Sequence, residues 1–268
     1  MNIEELRDKL SKELASCKGR ASLFLEIEGL TIEFNSNVVY QSASLIKLPI
    51  LFEALRQIEA GKLQKDSLVT IRESDKIGDT GVLQAMKVKQ LPVEDLLSLM
   101  IIVSDNSATN LLIDLIGVNS INSTMSRIGM KNSILQRKML DFQAIQSSSD
   151  NFTSAADIAL CLKEAVAGRL INKHSRETFH SFLNQQQFKE KLPVYMDDTL
   201  LKIGNKTGEL PGVEHDCGII TYGKKQAFIV VLIDSLSDPE SGKSTIRQVG
   251  KHINSFIEGV STVSDHFC

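Results

Sequence analysis

Two short combinations in this chain join a hydroxyl to an amine, Ser44-Leu-Ile-Lys47 and Lys206-Thr207-Gly208, and a third, Ser104-Asp105-Asn106, sets a hydroxyl beside a carboxylate and an amide. A serine hydroxyl is a weak nucleophile at its own pKa and needs a base within hydrogen-bond reach. On a helix, residues i and i+3 share a face, so Lys47 lies beside Ser44. Lysine acts as that base only where burial or a second cation, such as Lys206, lowers its pKa. A helix start at Ser44 adds free N–H groups with partial positive charge, which help to bind an oxyanion. The chemistry expected of such a set is acyl transfer through serine.

The elements that must position these residues follow from periodicity. A charged helix is expected over about residues 2 to 16, with Ile3, Leu6, Leu10 and Leu14 on one face. "ASLFLEIEGLTIEFN" alternates around Gly29 and predicts two strands and a turn. The segment from Ser42 carries Leu48, Leu51, Leu55 and Ile58 at helical spacing, with Pro49 tolerable near the first turn and Gly61 as a C-cap. Residues of about 91 to 190 are mostly helical. "PVEDLLSLMIIVS" is a buried helix, "SATNLLIDLIG" a second, and "TSAADIALCLKEAVAG" a third with a Ser/Thr cap and a terminal Gly168. Between them "NSILQRKMLDFQAIQSSSDNF" predicts a long polar loop. "CGIITYG" and "QAFIVVLIDS" are strands around a turn at "GKK", and a helix from about Ser241 to Glu258 closes the chain. Lys206 is expected near the end of a strand.

Singly, each combination is common. In this order, with flanks such as "MIIVSDNSATNLLIDLIG" and "KTGELPGVEHDCGII", they resemble the class A β-lactamases and penicillin-binding proteins over roughly residues 40 to 235. The resemblance implies an α/β (α+β) fold: an antiparallel five-stranded sheet flanked by N- and C-terminal helices, with an inserted all-α lobe. The sheet lobe would take about residues 1–43 plus 195–268, and the helical lobe about 44–194. It implies Ser44 as nucleophile, Lys47 as base and an oxyanion hole from the backbone N–H groups of Ser44 and Glu209. Ser104 would relay a proton to the leaving nitrogen, and Asn106 would bind the substrate's amide side chain. Lys206 would supply positive charge, Thr207 a hydroxyl for a substrate carboxylate, and Gly208 part of the substrate-binding strand.

The chain departs from the family pattern at two places. The loop Glu-x-x-Leu-Asn that activates the deacylating water is here "QRKMLDFQ". Matching Leu140 to the leucine puts Arg137 at the glutamate and Asp141 at the asparagine, and Asp150 then matches the aspartate closing the loop. Arginine stays protonated and is no general base. Asp141 is the nearest carboxylate available to activate water, against a plain loop-bracing role. Glu209 stands where the family usually has a small residue. These departures leave three outcomes open. They are slow β-lactam hydrolysis, long-lived acyl-enzymes of the penicillin-binding type or an esterase or D-amino-acid peptidase, and a non-turnover binding or sensor domain.

Composition bounds the partners. With 268 residues, 42% hydrophobic and 24% charged, the chain is long enough for a sizeable core. A net charge of −3 gives no reason to expect nucleic acid or an anionic membrane. Cys17, Cys161, Cys217 and Cys268, with five scattered histidines, show no metal-ligand spacing, so no metal or cofactor is expected. A small molecule acting on a monomer is the expected partner. The N-terminus has no basic and apolar leader pattern, which reads as a cytoplasmic chain, or a secreted one whose leader has been removed.

Overall fold

The computed structural model describes residues 1–264, so His266 and Cys268 lie outside the described residues. The chain opens with α1 (Ile3–Ser16), β1 (Arg20–Ile27), β2 (Leu30–Phe34) and the short β3 (Tyr40–Gln41). A 3-10 turn, Ala43–Ile46, leads into α2 (Lys47–Glu59). Then come β4 (Leu68–Thr70), β5 (Gln90–Pro92), α3 (Val93–Ile102), α4 (Asn106–Ile116), α5 (Val118–Ile128), α6 (Phe142–Gln146), β6 (Phe152–Thr153), α7 (Ala155–Ala167) and α8 (Lys173–Asn184). The chain returns through β7 (Lys202–Leu210), β8 (Val213–Tyr222) and β9 (Lys225–Asp234) to α9 (Pro239–Ser264).

Five strands form one antiparallel sheet in the order β2-β1-β9-β8-β7. The first strands therefore pair with the last: Leu25 faces Ile229 across β1 and β9. Both faces of β9 are covered, which explains its unbroken apolar run. Ile229, Val231 and Ile233 pack with Leu6, Leu10, Ile246 and Val249 of α1 and α9. Phe228, Val230 and Leu232 belong to the larger core that includes Leu48, Leu51, Leu112 and Leu162 of the helices on the other side. Period-2 alternation along one strand thus feeds two cores.

Local chemistry sets several ends. Asn2 and Glu5 make a reciprocal capping box on α1, and Ser154 caps α7 by accepting from Asp157 N. Gly168 closes α7 in the left-handed region, φ 69°. At α2 the C-cap is Ala60, and Gly61 follows it at φ 69°. Lys206 lies inside a strand rather than near its end, because the pairing with β8 runs on from Lys206–Cys217 to Leu210–Val213. The polar loop before α7 is not wholly irregular. It carries α6, and its end pairs as β6 with β3, Tyr40 opposite Thr153.

Candidate active site

Ser44 and Lys47 come from the junction of the 3-10 turn and α2, where side chains three apart stack directly. Ala43, just before the serine, takes φ 44°, a conformation L-residues rarely adopt. β7 runs flush against this turn, and a Cβ at Gly208 would come 3.2 Å from the Cβ of Ala43. That close approach sets the strand carrying Glu209 beside the start of the helix carrying Ser44.

Ser104 sits between α3 and α4 at φ 54°, again left-handed. Its hydroxyl lies 3.0 Å from Lys47 Nζ and 3.0 Å from Lys206 Nζ. Lys47 also donates to Ser104 O at 2.7 Å and to Asn106 Oδ1 at 2.9 Å. Lys206 donates to Thr207 O at 2.9 Å. Both amines are fully buried. Burial, then the nearby charge of Lys206, pushes the Lys47 pKa well below its usual value. Burial also lowers Lys206, to about 8. Ser44, Ser104 and Thr207 line one cleft of about 180 Å³ with Thr80, Phe188, Glu190, Glu209 and Lys243, and Lys47 and Lys206 join it through the Ser104 hydroxyl, Asn106 through Lys47.

The middle residue of Ser104-Asp105-Asn106 organises rather than reacts. Asp105 is the N-cap of α4, accepting from Ala108 N at 2.9 Å, and its other oxygen accepts from Val82 N and Leu83 N at 2.7 Å each. This holds the segment bearing Thr80 over the cleft. Gly81, at φ 107°, makes that approach feasible, since a Cβ there would meet the Asp105 Cα at 2.4 Å. A cap before a helical run was a signal present in the sequence.

On the loop side, Arg137 lines a narrower arm of the cleft with Ser44 and Asn106. Its guanidinium is committed. Nε donates to Asp150 Oδ1 at 2.7 Å, and Nη1 to Lys138 O at 2.9 Å. Asp150 is held in turn by Gln41 Nε2 at 2.7 Å. The Gln41 carbonyl accepts from His215 Nε2 at 2.9 Å, while His215 Nδ1 accepts from Ile233 N at 3.2 Å. That pattern assigns the Nε2–H tautomer, and burial lowers the His215 pKa to about 4. Asp141 is the N-cap of α6, its carboxylate on Ala144 N at 3.0 Å. Its neighbours Leu140 and Phe142 form the cleft wall there.

The carboxylate of Glu209 turns neither away from the cleft nor toward it unpaired. Its Oε1 is 2.9 Å from Lys191 Nζ and 3.5 Å from Lys243 Nζ. Burial raises its pKa, but the charge of Lys191 and then Lys243 outweighs this and leaves it below the ordinary value. Lys191 also meets Glu214 at 2.5 Å. No motif or spacing in the sequence pointed to Lys191, Glu214 or Lys243.

A family model described as the beta-lactamase enzyme family matches residues 5–257. The β-lactamase BRO-1 of Moraxella catarrhalis is 22% identical over 233 residues, covering 82% of this chain and 74% of that protein. Among solved structures, a β-lactamase from Sphaerobacter thermophilus superposes with a TM-score of 0.87 at 27% identity, covering 96% of this chain and 98% of the other. A point mutant of PBP-A, solved as an acyl-enzyme complex with penicillin G, superposes at 0.86 and 23% identity, covering 96% and 97%. The chain belongs to the β-lactamase enzyme family, a family of hydrolases.

Proposed function

We propose that the chain is a serine hydrolase that forms an acyl-enzyme on Ser44 with β-lactams or related amides and esters, and releases the acyl group slowly. The observation that carries this reading is the pair of buried lysines around one serine hydroxyl, beside Ser44. Among the described residues, no carboxylate is in hydrogen-bonding contact with either amine. Neutral Lys47 takes the proton of Ser44 as Oγ bonds to the carbonyl carbon. The oxyanion rests on the N–H groups of Ser44 and Glu209, each such donor lowering the barrier by about 3 kcal/mol. When the C–N or C–O bond breaks, Ser104 passes the proton from Lys47 to the leaving atom. Charged Lys206 holds the Ser104 hydroxyl, and Asn106 binds the acyl amide.

Slow release is favoured by a specific observation. Arg137, which the sequence match sets at the water-activating glutamate, lines the cleft with Ser44 and is tied to Asp150, while Asp141 Oδ1 caps α6. The capture of PBP-A, in mutant form, as an acyl-enzyme with penicillin G makes that drug a suitable probe. Intact-mass measurement over time after mixing with penicillin G should show a persistent adduct on Ser44, absent in Ser44→Ala. An adduct surviving in Ser44→Ala would sink the assignment. One that vanishes as the drug is consumed would establish efficient turnover and sink the slow-release part.

A further inference from the structure

The far wall of the cleft carries the chain's own anions. Thr207 and Glu209 are two apart on β7, so both point to the same face, and both line the cleft with Ser44 and Ser104. Lys243 is the cation that reaches this wall, with 23% of its side chain exposed, and Glu209 already meets it. Lys191 is buried behind them and is shared between Glu209 and Glu214. Glu190 lines the same wall and lies within Coulombic range of Lys243. Apart from Lys206, three carboxylates therefore face two ammonium groups on this wall.

A site built to hold a substrate carboxylate presents a cation with a free valence. Lys206 is buried and already donates to Ser104 Oγ and Thr207 O, and Lys243, the cation with exposed surface on this wall, is already met by Glu209. A carboxylate resting on the Thr207 hydroxyl would stand beside Glu209 on one strand face and compete with it for Lys243. We propose that Glu209 is a specificity residue that turns the cleft toward acyl donors with no carboxylate on the leaving-group side, neutral esters and amides over their anionic counterparts. The inference rests on acylation at Ser44.

The test is a matched pair, benzylpenicillin and its methyl ester, which differ only in that carboxylate. Second-order rates of Ser44 acylation are read by intact mass on the full chain. The ester is expected to label the wild type at least as fast as the acid. In Glu209→Gln, which keeps size and hydrogen bonding, the acid-to-ester ratio should rise by about tenfold, the scale of removing one like charge from a site. The rise should shrink at high ionic strength. Faster labelling of the wild type by the acid, by about tenfold or more, would overturn the inference and needs no variant. So would a ratio unmoved in a folded Glu209→Gln. Labelling by neither compound would overturn the acyl-enzyme reading itself, and this inference with it.

Discussion

Three lysines are fully buried among the described residues, and they fall into two environments. Lys47 and Lys206 meet carbonyls, a hydroxyl and an amide oxygen. Lys191, equally buried, meets Glu209 and Glu214 besides two backbone carbonyls. Burial alone does not make a base. A buried ammonium held between carboxylates is a brace, whereas Lys47, with none in contact, is driven toward the neutral amine. The same contrast applies to Arg137, which the sequence match sets at the family's loop glutamate. A cation tied to Asp150 holds a loop and moves no proton.

The largest effect should come from erasing that difference. Asn106→Asp would set a carboxylate where Oδ1 now lies 2.9 Å from Lys47 Nζ. An opposite charge at that range raises a pKa by about 1–3 units, so acylation at neutral pH should fall by ~10- to 10³-fold. The acid limb of the pH–rate profile should move up with it, and an unmoved limb would show that Lys47 is not the base. On the loop side, Arg137→Glu would face Asp150 and leave two carboxylates together. Breaking one partner of such a buried pair costs about 3–5 kcal/mol, visible as a drop in Tm. Faster acyl release is then expected only in the double variant Arg137→Glu/Asp150→Asn. A double variant that folds yet releases no faster would mean that position 137 does not face the acyl carbonyl.

Wild-type pH dependence follows from the two shifted amines. Acylation should rise with pH as Lys47 loses its proton, and fall again as Lys206 is discharged near pH 8. Lys206→Arg should keep the charge and remove the alkaline limb. A limb persisting in that variant would have to belong to another group. The smallest effect is expected at Asp141→Ala. Loss of the α6 cap should cost about 1 kcal/mol by thermal melting and leave release unchanged. Release slowed by about tenfold would instead give Asp141 a part in water activation.

What was legible in the sequence was contiguous. The three motifs, the capped helices and the doubly buried β9 each carry their signal within a few residues. Two helices, α5 and α8, are less conspicuous because their apolar residues are sparse. Yet Val118, Ile121, Met125 and Ile128 recur at helical spacing, as do Phe179, Phe182 and Leu183 after the Asn172 cap. The Lys191–Glu209–Glu214–Lys243 cluster had no such trace. Its members come from the segment before β7, from β7 and β8, and from α9, and they meet only when the sheet and its last helix are assembled. The sequence pattern that matched Asp141 to an asparagine could not show that its carboxylate caps the first turn of α6.

The Ser104 hydroxyl bridges an amine from α2 and an amine from β7, and β1 finds its partner only in β9. A polypeptide still emerging from the ribosome with its serine and first lysine already made holds two ordinary side chains. The pairing of the two amines arises only after β7 and β9 have been synthesised and closed onto the first strands, so the cleft is assembled with the sheet and not before.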